Sequence, residues 1–280
     1  MAVKGERDEG IDGRGDGDRG GDRDEGTTDV RVKHLIIART FKMTDTSVDL
    51  SGKSSAAMRK PYSTQHDVLL EDDLESKNPF KLFHIWFEGI KNCGKVYEPN
   101  AVCLATSDIN GRPSARMVLL KAYGNEGFTI FTNYESRKGQ EMIENPKASL
   151  LFYWDVFNRQ VRIEGTVEKV SEAESVEYYG CRPRASQISA RISQQSRAVE
   201  SRDKMLEIYK QEELKYPTQV PKPDFWGGFR IIPDAFEFWS GQTNRLHDRI
   251  RFFRADSVEK VDGKLTKLGE EGWAYQRLQP

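Results

Sequence analysis

The spacing of apolar residues predicts a helix at residues 78–93, NPFKLFHIWFEGIKNC. Asn78 is a favourable N-cap, and Pro79 suits the first helical position. The apolar side chains that recur at helical spacing are Phe80, Phe83, Trp86, Phe87 and Ile90. We therefore predict an amphipathic helix whose apolar face belongs to the core.

After this helix the apolar period changes to two, which is typical of β-strands. The predicted strands are 101–108, 114–123, 128–133, 148–154, 159–170, 227–233, 235–239, 249–254 and 273–278. Asn110-Gly111 is a strong hairpin signal, and residues 125–127 mark a second turn. Many short antiparallel strands of this kind favour a closed β-barrel.

Three further helices are predicted between the strands. The first spans 136–146 with Ser136 as its N-cap, and the third spans 201–214. The second spans 171–183, where Ser171 and Glu174 form a capping box. The fold class is therefore mainly β with flanking helices (α+β).

The first 26 residues differ in composition from the rest. They contain eight glycines, nine acidic residues and five basic residues, too little apolar surface to drive folding. Residues 15–20 match GxGxxG, but neither the strand nor the helix that a dinucleotide site requires flanks them. We therefore expect a disordered acidic, Gly-rich leader over 1–57 and a folded domain over 58–280, with Met43 as an alternative start.

Charge and cysteine usage narrow the class of protein. The formal net charge of −1 gives no sign of a nucleic-acid partner, and the absence of a long apolar run argues against a membrane span. Three cysteines without a CxxC pair and four scattered histidines fit neither a disulfide framework nor a metal site. We expect a cytoplasmic protein without a metal. Residues 28–42 leave a mitochondrial location as the less favoured alternative.

Basic residues form two local clusters. Arg116 and Lys121 flank an apolar strand, and their spacing of five predicts opposite faces. Arg137 and Lys138 occupy the first turn of a predicted helix, where basic side chains and free N–H groups favour phosphate. A solvated helix start is the alternative for this second cluster.

Two further stretches point to anion binding. Tyr178 and Arg182 are spaced to share a helix face, and Ser186 follows shortly after. Arg245, His247 and Arg249 alternate after an apolar strand, so in extended structure they would point the same way. No catalytic nucleophile, carboxylate pair or metal cluster stands out, which favours chemistry by a bound cofactor.

Six motifs in order resemble one known family. They are ARMVLLK, IFTNYESRKG, LFYWDVFNRQVRIEG, CRPRASQIS, PKPDFWGGFRIIPDAFEFW and GQTNRLHDR. Together they resemble the pyridoxine/pyridoxamine 5′-phosphate oxidase family over about 58–280. The resemblance implies an FMN-binding split β-barrel and a homodimer with FMN at the interface. It also implies oxidation of pyridoxamine or pyridoxine 5′-phosphate to pyridoxal 5′-phosphate by O₂, giving H₂O₂ and, from the amine, ammonia.

The resemblance also assigns roles by position. The implied FMN contacts are Arg116, Met117, Val118, Leu119, Phe131, Thr132, Arg137, Lys138, Gln160, Gln195, Ser196, Trp239 and Arg249. The implied contacts to the substrate phosphate are Lys121, Tyr178, Arg182 and Ser186. Arg245, Leu246 and His247 match the residues beside the substrate ring, with Arg245 orienting the substrate and His247 a candidate for proton transfer.

Two other functions stay open at this point, a flavin reductase and a pyridoxal-phosphate carrier without flavin. The presence of Tyr178 with Arg182 and of Arg245 with His247 disfavours the reductase. The presence of Arg116, Arg137 and Lys138 disfavours the carrier. One departure from the family concerns residues 63–67, STQHD, where the family often has basic residues that cover the active site. Here His66 is the one candidate base.

Overall fold

The computed structural model describes Tyr62, residues 68–257 and residues 261–280. The predicted leader over 1–57, the alternative start at Met43 and the segment 63–67 lie outside the described residues.

Five α-helices lie in the described ranges, and most begin at a side-chain cap. Their bounds are Pro79–Asn92 (α1), Arg137–Glu144 (α2), Glu172–Cys181 (α3), Arg184–Ile192 (α4) and Arg202–Lys215 (α5). Ser171 and Glu174 form the predicted capping box, and Asn78 and Ser136 accept from backbone N–H groups of α1 and α2. The predicted α1, α2, α3 and α5 are confirmed, whereas α4 was not predicted.

Ten strands are present in the same ranges. Their bounds are Ala101–Ser107 (β1), Pro113–Leu119 (β2), Ala122–Gly124 (β3), Gly127–Asn133 (β4), Lys147–Trp154 (β5), Arg159–Lys169 (β6), Trp226–Ser240 (β7), Asp248–Arg254 (β8), Lys267–Leu268 (β9) and Trp273–Arg277 (β10). Every ladder is antiparallel, in the order β2-β1-β5-β6-β7-β8-β10-β9, and β4 pairs with both β3 and β7. The mainly β fold class is confirmed. β2 pairs with β1, and β3, which follows it directly, pairs with β4. Because β4 pairs with β7, β7 with β6, β6 with β5 and β5 with β1, the pairing returns to its starting strand, as the predicted β-barrel requires.

The longest strand, β7, organises the sheet. Its first half pairs with β4, its second half pairs with β8, and β6 runs along its whole length. Two separate strands were predicted here. They are one strand. Glu164 of β6 pairs with Ala235 and Gly165 pairs with Pro233, so Asp234 is an extra residue in β7 and the ladder continues on both sides of it.

The predicted strand 114–123 is instead two strands. The chain leaves the β1 ladder at Leu119, and Leu120 N–H donates to Asn100. Lys121 N–H then donates to Thr129 of β4. The backbone thus changes its pairing partner within two residues.

The main core lies between α1 and the sheet. Phe83 is fully buried, and its ring packs edge-on against Phe128 with centroids 5.0 Å apart and in a tilted arrangement against Phe152 with centroids 5.2 Å apart. The helical spacing read from the sequence therefore marks the buried face of α1. In the described residues, none of the helices is both long and apolar enough to cross a membrane.

Candidate active site

A cavity of about 670 Å³ gathers most of the predicted site residues, and we call it the cation cavity. It lies between β2, β4, α2 and the α3–α4 corner. Predicted residues that line it are Arg116, Met117, Val118, Leu119, Lys121, Phe131, Thr132, Lys138, Tyr178, Arg182, Ser186 and Gln195. Because the strand breaks at Leu120, Arg116 and Lys121 line the same cavity, and the prediction that they face opposite ways is wrong.

Lys138 is held on one wall of the cavity by polar neighbours. Its Nζ donates to Gln195 at 2.8 Å and to Thr132 at 3.3 Å. Burial lowers the pKa of Lys138, and the nearby positive charge of Arg116 lowers it further. Such crowding of cations indicates a site that is completed by an anion.

Arg137 and Ser196 stand at the margin of this wall. The backbone N–H of Arg137 donates to Ser196 Oγ at 3.2 Å, which joins the start of α2 to the segment after α4. The Arg137 side chain is paired with Glu141, which also binds Arg116.

Aromatic rings and a guanidinium build the opposite wall. Phe131 stacks on Tyr178 with centroids 4.1 Å apart, and it also stacks on Trp226 at 5.6 Å. The guanidinium of Arg182 lies 4.8 Å from the Trp226 ring centroid. Its Nη1 is buried without a hydrogen-bond partner, and burial lowers the pKa of Arg182. An unpartnered buried donor on a cavity wall fits an oxyanion ligand.

Close backbone packing keeps Phe131 in this position. Gly228 pairs with Phe131 across the β4–β7 ladder. A Cβ atom on Gly228 would lie 2.6 Å from Val170 Cγ2 and 2.8 Å from Phe131 Cε1. Any larger residue would therefore displace the stacked ring.

Tyr178 and Arg182 share the cavity but not a helix. α3 ends at Cys181, and Arg182 is the C-cap with extended backbone angles. Pro183 then starts the turn into α4, which carries Ser186. The predicted i, i+4 helix face is therefore wrong, and the corner between two helices brings the three residues together.

Three other predicted FMN contacts form a row across β6, β7 and β8, which we call the Trp239 row. Trp239 pairs with Gln160 on one side and with Arg249 on the other. Residues directly opposite each other on neighbouring strands present their side chains on the same face. Local strand pairing therefore places these three side chains side by side.

The residues Arg245, Leu246 and His247 lie in a loop, not in an extended strand. Arg245 has a φ of 71°, and β8 begins only at Asp248. The prediction that Arg245, His247 and Arg249 alternate along one strand is therefore wrong. The loop does bring His247 to the row, because its ring centroid lies 4.9 Å from that of Trp239. Leu246 and His247 also line a second cavity of about 500 Å³ with the C-terminal residues.

The cation cavity and the Trp239 row are far apart within one chain. Trp226, which lines the cavity, and Trp239 lie near opposite ends of β7. Thirteen residue steps along an extended strand cover at most about 40 Å at ~3.3 Å per residue. The single chain therefore carries the predicted site as two separate halves.

Two residues were missed by sequence reasoning. Trp226 lies inside a motif used for the resemblance but received no role. Glu141 contacts Arg116 and Arg137, and its signal in the sequence was the i, i+4 spacing from Arg137 on a predicted helix.

The fold and the two half-sites define the class of the protein, a split β-barrel with a cavity lined by cations and aromatic rings. Comparison with known families agrees. Residues 93–211 match the family described as pyridoxamine 5′-phosphate oxidase. Residues 226–280 match the pyridoxine 5′-phosphate oxidase C-terminal dimerisation region.

Individual relatives are similar over most of their length. The chain is 45% identical over 254 residues to pyridoxine/pyridoxamine 5′-phosphate oxidase of Bombyx mori, covering 90% of this chain and 97% of that protein. It is 48% identical over 225 residues to pyridoxine-5′-phosphate oxidase of Bos taurus, covering 80% and 86%. This chain belongs to the pyridoxine/pyridoxamine 5′-phosphate oxidase family.

A solved structure of the same type is PhzG from Burkholderia lata 383 in complex with tetrahydrophenazine-1-carboxylic acid. The two structures superpose with a TM-score of 0.66 at 29% identity, covering 78% of this chain and all of that one. The likeness extends the sequence match to the three-dimensional fold.

Proposed function

We propose that this protein oxidises pyridoxamine 5′-phosphate and pyridoxine 5′-phosphate to pyridoxal 5′-phosphate, with FMN as cofactor and O₂ as electron acceptor. Membership of the family supports this reaction. The observation that carries the proposal is the cation cavity, which combines two groups of cations with a wall of stacked aromatic rings. Two phosphorylated molecules, the cofactor and the substrate, need two such groups.

The first group suits the phosphate of FMN. Arg116 and Lys138 lie on the α2 side of the cavity, and the positive charge of Arg116 lowers the pKa of Lys138. A phosphate between them would relieve this repulsion. The neighbouring start of α2 adds backbone N–H groups, which favour the same anion.

The second group suits the phosphate of the substrate. Arg182 offers a buried Nη1 without a protein partner, and Tyr178 and Ser186 add hydroxyl groups beside it. Lys121 lines the same cavity from the other side. Binding the phosphate, which is remote from the reacting carbon, fixes the orientation of the substrate.

A second copy of the chain would complete the site. In one chain the Trp239 row lies thirteen residues along β7 from Trp226, a length of up to about 40 Å at ~3.3 Å per residue, so a single chain presents the two half-sites apart. In a homodimer with FMN at the interface, the partner's row would meet this chain's cavity. The match of residues 226–280 to a dimerisation region supports this arrangement.

When bound, FMN would supply the two-electron oxidation and the reaction with O₂. The protein supplies orientation and proton handling. Arg245 is exposed, and its guanidinium forms no hydrogen bond within the described residues, so it is available to cover the substrate ring. Its planar, permanently charged group suits orientation and not base catalysis.

His247 has a defined tautomer when it is neutral. The backbone N–H of Gln242 donates to its Nδ1 at 3.0 Å, so the proton of the neutral ring is on Nε2. Nε2 is therefore the atom that would exchange a proton in the active site.

The compartment proposed is the cytoplasm. Cys93, Cys103 and Cys181 are all free thiols, as expected in a reducing environment.

An absorbance titration tests the function. The protein, reconstituted with FMN, is mixed with pyridoxamine 5′-phosphate without oxygen and then exposed to air. We expect the flavin band to bleach on mixing and to return with air, with formation of pyridoxal 5′-phosphate. A band that NADH bleaches but pyridoxamine 5′-phosphate does not would support a flavin reductase instead. Failure to retain FMN, with binding of pyridoxal 5′-phosphate, would support a carrier.

A further inference from the structure

A buried carboxylate joins two guanidiniums beside the cation cavity. Glu141 of α2 has a side chain that is 6% exposed, and its Oε1 accepts from Arg137 Nε at 2.8 Å. Its Oε2 accepts from Thr106 and Ser114, each at 2.5 Å, and from Arg116 Nη2 at 3.3 Å. The carboxylate is thus saturated by protein donors from α2, β1 and β2.

The two arginines differ in the donors that they keep for a ligand. Arg137 uses Nε for Glu141, and its two terminal nitrogens form no hydrogen bond within the described residues. Arg116 lines the cavity, and its Nη1 and Nη2 are held by Leu104 O, Thr106, Ser114 and Glu141. Glu141 therefore fixes both guanidiniums, which leaves the two terminal nitrogens of Arg137 and the Nε–H and positive charge of Arg116 for a ligand.

Fixing the guanidiniums matters because both belong to long side chains with many rotamers. A ligand that had to order them would lose affinity, and preorganisation removes that loss. Two cations this close also repel each other, and a buried anion between them offsets the repulsion. Burial alone would raise the pKa of Glu141, but hydrogen bonds from Ser114, Thr106 and Arg137 lower it to about 2, so the group is ionised at neutral pH.

We propose that Glu141 is a positioning residue for the cofactor phosphate, and that it holds Arg116 and Arg137 ready to receive this group. The proposal rests on the proposed function, because it takes FMN as the ligand of the first cation group. The proposal predicts that removing the negative charge of Glu141 weakens the binding of the cofactor phosphate. Removing a negative charge should strengthen phosphate binding if charge alone mattered, whereas loss of positioning should weaken it.

The test compares FMN with riboflavin, which lacks the phosphate, as probes of the FMN-free protein. Quenching of flavin fluorescence gives the Kd of each for the parent protein and for Glu141→Gln. We expect the Kd of FMN to rise at least tenfold and the Kd of riboflavin to change less than twofold. An FMN Kd that is unchanged or lower in Glu141→Gln would overturn the proposal, as would an equal rise for both flavins.

Glu144→Gln is the matched control, since Glu144 lies on the same helix, is exposed and undergoes the same change of charge. It should leave both Kd values within twofold of the parent.

A second variant keeps the test valid if Glu141→Gln does not fold, as judged by circular dichroism. Ser114→Ala retains every charge but removes the hydroxyl that bonds both Glu141 and Arg116. We expect about a threefold rise in the Kd of FMN with no change for riboflavin, and an unchanged ratio of the two would contradict the proposal. Failure of the parent protein itself to bind FMN would contradict the proposed function instead, so the two failures are distinguishable.

Discussion

The carboxylate of Glu237 on β7 holds the guanidinium of Arg249 on β8 through two hydrogen bonds. Arg249 Nε lies 2.8 Å from Oε1, and Nη2 lies 3.1 Å from Oε2. Glu237 has a side chain that is only 3% exposed, and it also accepts from Arg162 Nη2 at 2.7 Å. The bidentate pair fixes Arg249 within the Trp239 row.

Arg249→Ala should weaken FMN binding at least tenfold, because the row loses its cation. It should also lower the free energy of unfolding by roughly 2 kcal/mol, since buried Glu237 keeps only part of its compensation. Equilibrium dialysis against FMN and urea unfolding measure the two effects. Arg251→Ala, two residues along the same strand and more exposed, is the control. Full flavin occupancy of Arg249→Ala after extensive dialysis would contradict the assignment.

Arg182→Ala should raise the KM for pyridoxamine 5′-phosphate at least tenfold while kcat changes by less than about threefold. The reason is that Arg182 has a buried Nη1 without a protein partner, which in the proposed site would bind the substrate phosphate, remote from the reacting carbon. Steady-state kinetics with the FMN-loaded protein measure both constants. Arg182→Lys keeps the charge but loses the planar contact with Trp226, so its KM should lie between those of the parent protein and Arg182→Ala. An unchanged KM in Arg182→Ala would remove this residue from the phosphate site.

Lys138→Gln should stabilise the FMN-free protein while it weakens FMN binding. Burial and Arg116 lower the pKa of Lys138, so the charged amine is unfavourable in the folded state without an anion. A neutral amide keeps a donor near Gln195 and removes this repulsion, which should raise the free energy of unfolding by about 0.5 to 1 kcal/mol. Thermal unfolding of the FMN-free protein tests the expected gain in stability, and titration with FMN tests the expected loss of affinity. A less stable variant that binds FMN normally would be the opposite result.

The lowered pKa of Glu141 implies that the folded protein loses stability in acid. Its pKa is lowered from 4.5 to about 2 on folding, so its stabilisation is complete above pH 4.5 and is lost as the pH falls toward 2. A shift of this size corresponds to roughly 3 kcal/mol. Urea unfolding at pH 5, 4 and 3 should therefore show a steeper decline for the parent than for Glu141→Gln. Other carboxylates titrate in both proteins, so the difference between the curves isolates Glu141. Parallel curves would show that this carboxylate is not stabilised by folding.

The amino-acid sequence by itself determined the elements whose signals are local. Asn78, Ser136, Ser171 and Ser201 each cap the helix that follows, because a cap needs only backbone N–H groups two or three residues away. Strand periodicity likewise located β1, β4, β5 and β6 to within one or two residues. The residues of the cation cavity were identified from the chain through motifs, without knowledge of their arrangement.

Only the tertiary structure decided where the chain changes partner. Periodicity is continuous from 114 to 123, yet the strand breaks at Leu120 because its backbone donors move from β1 to Asn100 and then to β4. Because of that change, Arg116 and Lys121 line the same cavity. The loop at Arg245 and the corner at Arg182 depend in the same way on contacts far along the sequence. Local residue patterns specify elements, whereas hydrogen bonds and packing between distant segments specify which side chains meet.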